Sequence, residues 1–466
     1  MRPTPIFAIF AALACSSCAL NSAKPAAPAV PAAFAQASAD GPWPDAGWYH
    51  GFGSTELDSL VGLARDNSPD LAAAVARVKQ ADARARQAGA ALLPQVDANG
   101  NALQFAGGAH GASAHETDWA ALLSASYEID FWGKNRAAAN SAQALAGAGR
   151  AELAVVRITL SNSVAASYFQ VLSLRERTAL ARLNLEAAQG VLRVMQARYD
   201  AGGVGPAELA AQRAAVASAE LILPQLQQQE AQARGALALL LGQAPEGFDV
   251  AGQNLNALAE PHLGAGLPSE LLRRRPDLIA SEHRLQAAHA DLIAAHAALF
   301  PSVNLTAGGG VQNPAVQAAV ITLAGTGWSL TAGASVVQTI FDSGRRRAVV
   351  EEAAATQEEL VAGYHGAILA ALLDVENALA AIHYLDLQGE AQQQYAEQSE
   401  RAFQGAQLRY REGKGDYLAV LETERSLYAA RDQFSQYKLA RLDALLGLCR
   451  ALGGGWQYPT PSQQSS

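Results

Sequence analysis

Apolar and polar residues alternate along two well-separated stretches of the chain. The first stretch has an apolar side chain at every second position: Trp119, Ala121, Leu123, Ala125, Tyr127, Ile129 and Phe131. The second repeats this spacing from Trp328 to Val336. A period of two, with aromatic residues on the apolar face, is typical of a membrane barrel strand with one side towards lipid and the other towards water. A half-buried strand of a soluble sheet is the alternative.

A further alternating segment precedes each of these stretches. Val96 and Ala98 alternate with Asp97 and Asn99, and residues 302–307 show the same pattern. The sequence therefore predicts two β-hairpins, with strands at about 95–106, 118–132, 302–312 and 327–341.

Long proline-free segments follow both hairpins. No proline occurs from Lys134 to about Tyr199, or from Arg345 to about Arg411. Apolar residues between 360 and 382 recur about every 3.7 positions, which predicts a weakly supercoiled helix. Roughly 67 residues would form a helix of about 100 Å. Returning helices are predicted to end at about 241 and 452, and shorter helices to begin near 56 and at 69.

The two halves repeat one unit. Pro69-Asp70-Leu71 recurs as Pro276-Asp277-Leu278 (276 − 69 = 207), and the turn glycine Gly202 recurs as Gly413 (413 − 202 = 211). Such a register indicates an internal duplication. We expect a first repeat at 54–242, a linker at 243–266, a second repeat at 267–457 and a flexible tail at 458–466.

The N-terminus has the composition of a secretory signal. One arginine precedes an apolar run at 6–14, and small residues surround Cys15 and Cys18. This pattern predicts a lipoprotein signal peptide at 1–17, with the lipid on Cys18 and with Cys15 as the competing site. Secretion without a lipid is the alternative. Residues 18–53 are predicted to be a tether, and Cys449 a buried apolar residue.

Charge and side-chain chemistry exclude several functions. The net charge of −9 argues against a nucleic-acid partner. No nucleophile–base grouping or metal set stands out, so we expect neither an enzyme nor a cofactor. Arg345, Arg346 and Arg347 are expected to be solvated at a helix start, with contact to anionic headgroups as the alternative.

No segment after the leader has 18 consecutive apolar residues, so we expect no membrane-spanning helix. A membrane crossing would then need a closed barrel, and the four strands of one chain leave open edges. Three chains would supply 3 × 4 = 12 strands, which makes a homotrimer the simplest closure.

Several of these segments together resemble the TolC-like outer-membrane factor family. They are the paired Pro-Asp-Leu helices, the strand end at 127–133, the Arg-Tyr-x-x-Gly turns at 198–202 and 409–413, and the closing residues 451–456. The lipoprotein branch that serves multidrug (RND-type) efflux is the most similar. The resemblance implies a mainly α-helical chain with a small β part. Three chains would form a 12-stranded outer-membrane barrel, continued by a periplasmic helical barrel.

The resemblance also implies partners and site residues. A periplasmic adaptor would dock at the turns 202–206 and 413–417, with Gly202, Val204, Gly205, Gly413 and Gly415 as contact residues, and an inner-membrane pump would complete the assembly. The periplasmic gate would consist of Tyr410, Arg411, Glu422 and Arg425. Glu422 stands where the family commonly has aspartate, and the 211 offset gives Ala211 and Ala214 in the first repeat. Glu422 and Arg425 could instead be a solvated pair on one helix face.

The predicted function is a passive efflux duct in the outer membrane of a Gram-negative bacterium, lipid-anchored and extending into the periplasm. It would carry drugs or other small molecules, and the pump would determine which. Two alternatives stay open: the outer component of a type I protein-secretion system, and a periplasmic lipoprotein whose helices serve only as a scaffold.

Overall fold

The four predicted strands form one antiparallel sheet in the computed structural model, which describes residues 31–35, 41–109, 112–312 and 327–457. The strands are β1 (Gln95–Ala109), β2 (Ala112–Ile129), β3 (Ser302–Gln312) and β4 (Gly327–Val337), in the order β1-β2-β3-β4. The signal peptide, Cys15, Cys18 and the tail 458–466 lie outside the described residues.

Two strands end earlier than the alternation predicts, because an aspartate starts a helix just after each. The carboxylate of Asp130 accepts hydrogen bonds from the backbone N–H groups of Asn135 (3.0 Å) and Arg136 (2.8 Å). Asp342 accepts similarly from Gly344 (3.1 Å) and Arg346 (3.2 Å). These bonds satisfy donors of the first helical turn. β2 therefore ends at 129 instead of 132, and β4 at 337 instead of 341.

The strand register brings the apolar positions of all four strands to one face of the sheet. Residues paired across neighbouring antiparallel strands share a face. The apolar pairs include Val96 with Ala125, Tyr127 with Leu305, Ile129 with Val303, Val311 with Trp328, and Val303 with Val336. The opposite face carries polar side chains, among them Asp97, Ser124, Ser126, Glu128, Asn304, Thr306 and Thr331. On the apolar face Trp328 and Leu330 are 81% and 76% exposed in the single chain.

The helices repeat in length between the two halves. The first half has α1 (Thr55–Asn67), α2 (Pro69–Ala90), α3 (Lys134–Asp200) and α4 (Pro206–Leu240). The second has the short α5 (Leu271–Arg274), then α6 (Pro276–Ala297), α7 (Arg345–Arg411) and α8 (Tyr417–Ala451). α2 and α6 have 22 residues each, α3 and α7 have 67, and α4 and α8 have 35. The predicted duplication is confirmed.

Capping and proline explain where these helices begin. The Ser54 hydroxyl accepts a hydrogen bond from the Leu57 N–H (3.2 Å) at the start of α1, which is the usual role of an N-terminal cap. Proline occupies the first position of α2, α4 and α6, where its missing N–H leaves no intrahelical bond unmade. Inside α4, the helix continues through Pro224 without interruption.

The described residues form two compact units. One lies within Ala81–Ala146 and His283–His365, and it contains the sheet. The other lies within Ala29–Gln80, Gly147–Glu282 and Gly366–Ser466. The core of the second unit comprises residues that are almost fully buried, among them Phe52, Leu57, Val164, Phe169, Leu172, Leu237, Leu241, Leu446 and Cys449.

The end of the predicted tether is packed into this second core. Trp48, Tyr49 and Phe52 are buried, and the 3₁₀ helix Trp48–Phe52 contains all three. The Trp43 indole N–H also donates to the Leu452 carbonyl at 3.2 Å. Aromatic side chains bury large apolar areas, so these residues belong to the folded unit.

Among the described residues, α7 is the one helix that is long and apolar enough to cross a membrane by length and composition. The core helix of a soluble protein passes the same test. Ile368, Ala371, Val375 and Leu379 of α7 are buried, and Val375 and Leu379 belong to an apolar cluster of the second unit.

Candidate functional site

Two equivalent turns join the long helices to the returning helices. Gly202 and Gly413 adopt positive φ angles of 74° and 70°, a conformation that strongly favours glycine. After the first glycine, the Gly203 N–H donates to the Arg198 carbonyl at 2.7 Å. After the second, the Lys414 N–H donates to the Arg409 carbonyl at 2.9 Å. The same helix end is therefore built twice, at the offset of 211 residues.

The turns differ in charge. The first, residues 201–205, carries no charged side chain; Val204 and Gly205 are half-buried there, and Gly202 is exposed. The second, residues 412–416, contains an exposed Glu412–Lys414 ion pair of 3.1 Å. Gly413 is exposed and Gly415 half-buried in that turn. The predicted docking residues thus occupy one neutral turn and one charged turn.

Tyr410 connects the two helix pairs. Its hydroxyl donates to the Met195 Sδ at 3.4 Å, and the Arg198 guanidinium lies over its ring at 5.2 Å from the centroid. The ring centroids of Tyr410 and Tyr417 are 5.2 Å apart. Around them, side chains of α3, α4 and α8 form one apolar cluster: Met195, Leu209, Tyr417, Val420 and Leu421. The α3/α4 and α7/α8 pairs are therefore packed together beside the turns.

A buried polar pair lies inside this cluster. Tyr417 donates a hydrogen bond to the Gln212 Oε1, and the Gln212 Nε2 donates to the Ala188 carbonyl at 2.7 Å. Both side chains are buried. Burial raises the pKa of Tyr417 above its usual range, so this tyrosine is a neutral donor. Sequence reasoning missed Gln212, although its place on the buried face of α4 between Leu209 and Val216 was a signal.

The other predicted gate residues are solvent-exposed. Arg411, Glu422 and Arg425 are exposed and Tyr410 is half-buried. Within the described residues, neither Glu422 nor Arg425 has an ion-pair partner within 4 Å in the single chain. Their spacing permits a pair on one helix face, but their charges are left available to other groups.

Glu422 and Arg425 line a groove between α4 and α8 of about 820 Å³. Ala211 and Ala214 line the same groove. These alanines are the first-repeat equivalents of the charged pair (422 − 211 = 211 and 425 − 214 = 211). The α4 wall of the groove therefore has small, neutral side chains at these positions, while the α8 wall carries both charges.

Glu424 is a residue that sequence reasoning missed. Its side chain is only 9% exposed, and its Oε1 has no hydrogen-bond partner. Burial raises the pKa of this carboxyl, because a buried carboxylate loses its hydration. The nearby Arg431 is paired with Glu400 of α7. α8 has one other glutamate, the exposed Glu422; the place of Glu424 between Leu421 and Leu427 on the buried face of α8 was the signal.

The site offers pairing charges and apolar packing. Within the part of the chain that the structure describes, no group of three or more His, Cys, Asp or Glu side chains is placed to hold a metal ion. What the arrangement can do is hold or release contacts between helices.

Comparison with known proteins identifies the family. The family model for outer membrane efflux proteins matches residues 60–243 and 267–454. The chain is 45% identical over 419 residues to the pyoverdine export outer membrane protein OpmQ of Pseudomonas aeruginosa, covering 88% of this chain and 87% of that protein. It is 33% identical over 423 residues to the cation efflux system protein CusC of Escherichia coli, covering 89% of each.

Solved structures agree with this relationship. The outer-membrane channel OprN superimposes with a TM-score of 0.83 at 30% identity, covering 93% of this chain and 99% of that one. The chain therefore belongs to the outer membrane efflux protein family, and its role is that of an outer-membrane efflux channel.

Proposed function

We propose that three copies of this chain join their sheets into one twelve-stranded barrel (3 × 4 = 12) that spans the outer membrane. The main support for this proposal is a sheet with one apolar face and two unpaired edges, β1 and β4. Unpaired strand edges are not tolerated in lipid. Because the number of strands per chain is even, β4 of one copy can pair antiparallel with β1 of the next around the whole ring.

The barrel acts as a passive duct, continued by the long helices into the periplasm. An inner-membrane pump supplies the free energy, and a periplasmic adaptor links the pump to the channel. The two turns are the adaptor's docking surface, through Gly202, Val204, Gly205, Gly413 and Gly415. Their repeated backbone geometry, with one neutral and one charged surface, supports two related but distinguishable contacts.

Glu422 and Arg425 close the periplasmic end by pairing across copies. The support is that both charges are exposed and unpaired within one chain, on one wall of a groove. Like charges brought together around a symmetry axis repel each other, and oppositely charged partners on the next copy would relieve this. Tyr410 and Arg411 complete the closure beside them.

The channel carries small molecules, and it is anchored by a lipid on Cys18, with Cys15 as the alternative. Identity is higher to the pyoverdine export protein than to the cation efflux protein, which favours a small molecule of the pyoverdine kind over a cation as the cargo. Intact-mass measurement of the mature N-terminal peptide distinguishes the two cysteines.

Light scattering and planar-bilayer recording of the detergent-purified full chain test the proposal. We expect a trimer and discrete single-channel conductance. A stable monomer would contradict it, as would a trimer that conducts neither as the wild type nor with the gate changes Glu422→Ala and Arg425→Ala.

A further inference from the structure

The segment between β4 and α7 exposes two large apolar side chains. Ile340 and Phe341 are 90% and 85% exposed, and they follow Val336, which is exposed on the apolar face at the end of β4. A contiguous exposed apolar patch marks a surface that meets a partner or a membrane.

Three arginines follow this patch, and only one of them is engaged. Arg346 donates to the Ala298 carbonyl at 2.8 Å and to the Thr339 hydroxyl. Arg345 and Arg347 are exposed, and neither has an ion-pair partner among the described residues. Two free guanidinium groups thus lie within a few residues of the apolar patch.

In the corresponding segment of the first repeat, some of the equivalent groups are satisfied internally. Lys134, the equivalent of Arg345 (345 − 134 = 211), pairs with Glu128 at 2.6 Å. Trp132 stacks on Phe300 with ring centroids 4.7 Å apart, and its indole N–H donates to the Pro301 carbonyl at 2.8 Å. Arg136, the equivalent of Arg347 (347 − 136 = 211), is exposed there as well, and Phe131 is 66% exposed. The second segment differs in having two exposed arginines without an ion-pair partner among the described residues, and the more exposed pair of apolar side chains.

We infer that Arg345 and Arg347 bind the anionic headgroups of phospholipids in the periplasmic leaflet, with Ile340 and Phe341 in the acyl boundary. This inference rests on the proposed function, in which the apolar face of the sheet contacts lipid. The patch continues along the chain from β4, whose alternate residues form that face. Apolar side chains beside cations are the arrangement that suits a membrane interface.

Charge complementarity selects the ligand. A guanidinium group donates paired hydrogen bonds to phosphate oxygens, and an anionic lipid adds net negative charge that a zwitterionic one lacks. We therefore expect phosphatidylglycerol to bind in preference to phosphatidylcholine.

Native mass spectrometry of the full-length trimer tests this preference. Trimers incubated with equal amounts of the two lipids should retain phosphatidylglycerol, and Arg345→Gln with Arg347→Gln should reduce that retention about fivefold or more. Arg401→Gln is the matched control, because Arg401 is an exposed arginine 54 residues further along α7 (401 − 347 = 54). The control should retain the lipid as the wild type does.

Undiminished phosphatidylglycerol retention by the double variant would overturn the inference, as would an equal loss in the control. If the double variant does not assemble, the two single variants carry the same test. Single-channel conductance distinguishes a failure of the headgroup site from a failure of the channel proposal. A conducting double variant that retains its lipid refutes the headgroup site alone. The absence of conductance from both the wild type and the Glu422→Ala, Arg425→Ala variant refutes the channel.

Discussion

Tyr417 of α8 donates a hydrogen bond to Gln212 of α4, two residues that are far apart in the sequence and both buried. This bond joins the second helix pair to the first inside the apolar cluster beside the turns. A buried amide oxygen that loses its donor keeps the full desolvation penalty. The contact therefore contributes to how firmly the two pairs hold together, beside the apolar cluster around it.

Tyr417→Phe should weaken this contact, because it leaves the Gln212 oxygen unpaired. We expect a loss of about 1–3 kcal/mol per chain, seen as a lower apparent melting temperature by circular dichroism. Conductance should rise at the same time if the helix pairs separate. Tyr384→Phe is the control, since Tyr384 is exposed on α7. An unchanged melting temperature for Tyr417→Phe would show that the bond contributes little.

Glu422→Ala combined with Arg425→Ala should increase the conductance or leak of the trimer. The proposed cross-copy pairs would be removed, and only Tyr410 and Arg411 of the proposed gate would remain. Single-channel recording in planar bilayers measures the change. The double variant Gln393→Ala and Glu397→Ala removes an exposed hydrogen-bonded pair on α7 (3.1 Å) and should behave as the wild type. Equal conductance in all three proteins would argue against the gate.

Glu424→Gln should stabilise the protein at neutral pH. Burial raises the pKa of Glu424 in the folded state above its ordinary value of 4.5. At a pH between the unfolded-state pKa and the folded-state pKa, the folded protein therefore binds more protons than the unfolded protein. The free energy of unfolding therefore falls as pH rises from about 4.5 through the folded-state pKa. Tyr417, Glu422, Arg425, Tyr428 and Arg431 of α8 and Asn184 of α3 surround or adjoin this carboxyl.

Thermal melts at pH 4 and pH 7.5 check this prediction. The glutamine variant should match the wild type at pH 4 and exceed it at pH 7.5, by about 1–3 kcal/mol per chain. Glu220→Gln, at an exposed position of α4, should show no such pH dependence. If stability falls equally with pH in the wild type and in Glu424→Gln, then Glu424 does not titrate between pH 4 and pH 7.5.

Leu330→Lys should impair assembly in the membrane, because Leu330 lies on the apolar face of β4. A lysine facing lipid near the centre of a barrel costs about 2–4 kcal/mol. Ser335→Lys, on the polar face of the same strand, should be tolerated. The heat-stable trimer in outer-membrane fractions is the measured quantity. Equal yields of the two variants would contradict the assignment of the faces.

Periodic features of this fold could be predicted from the sequence. Alternation identified the sheet and its two faces, because a strand directs successive side chains to opposite sides. The absence of proline set the extent of α7 at Arg345–Arg411. The turn glycines Gly202 and Gly413 were found by their repeat and have the positive φ that explains them.

Features that depend on distant contacts could not be predicted. Gln212 and Tyr417 meet through helix packing, and no local pattern pairs them. Glu424 lies on the buried stripe of α8, but only tertiary contacts leave its Oε1 without a hydrogen-bond partner. Trp48 and Phe52 lie next to a segment rich in alanine and proline, so composition alone assigned them to a tether. Burial of this kind is decided by tertiary structure.

The matched lengths of the helices limit how this protein can change. α3 and α7 have 67 residues each, and α4 and α8 have 35. Removing one or two heptads from α3 alone would leave its neighbours with nothing to pack against over that distance. Shortened or extended versions must therefore alter all four helices together. Coordinated deletions in α3, α4, α7 and α8 are the way to engineer a helical part of different length.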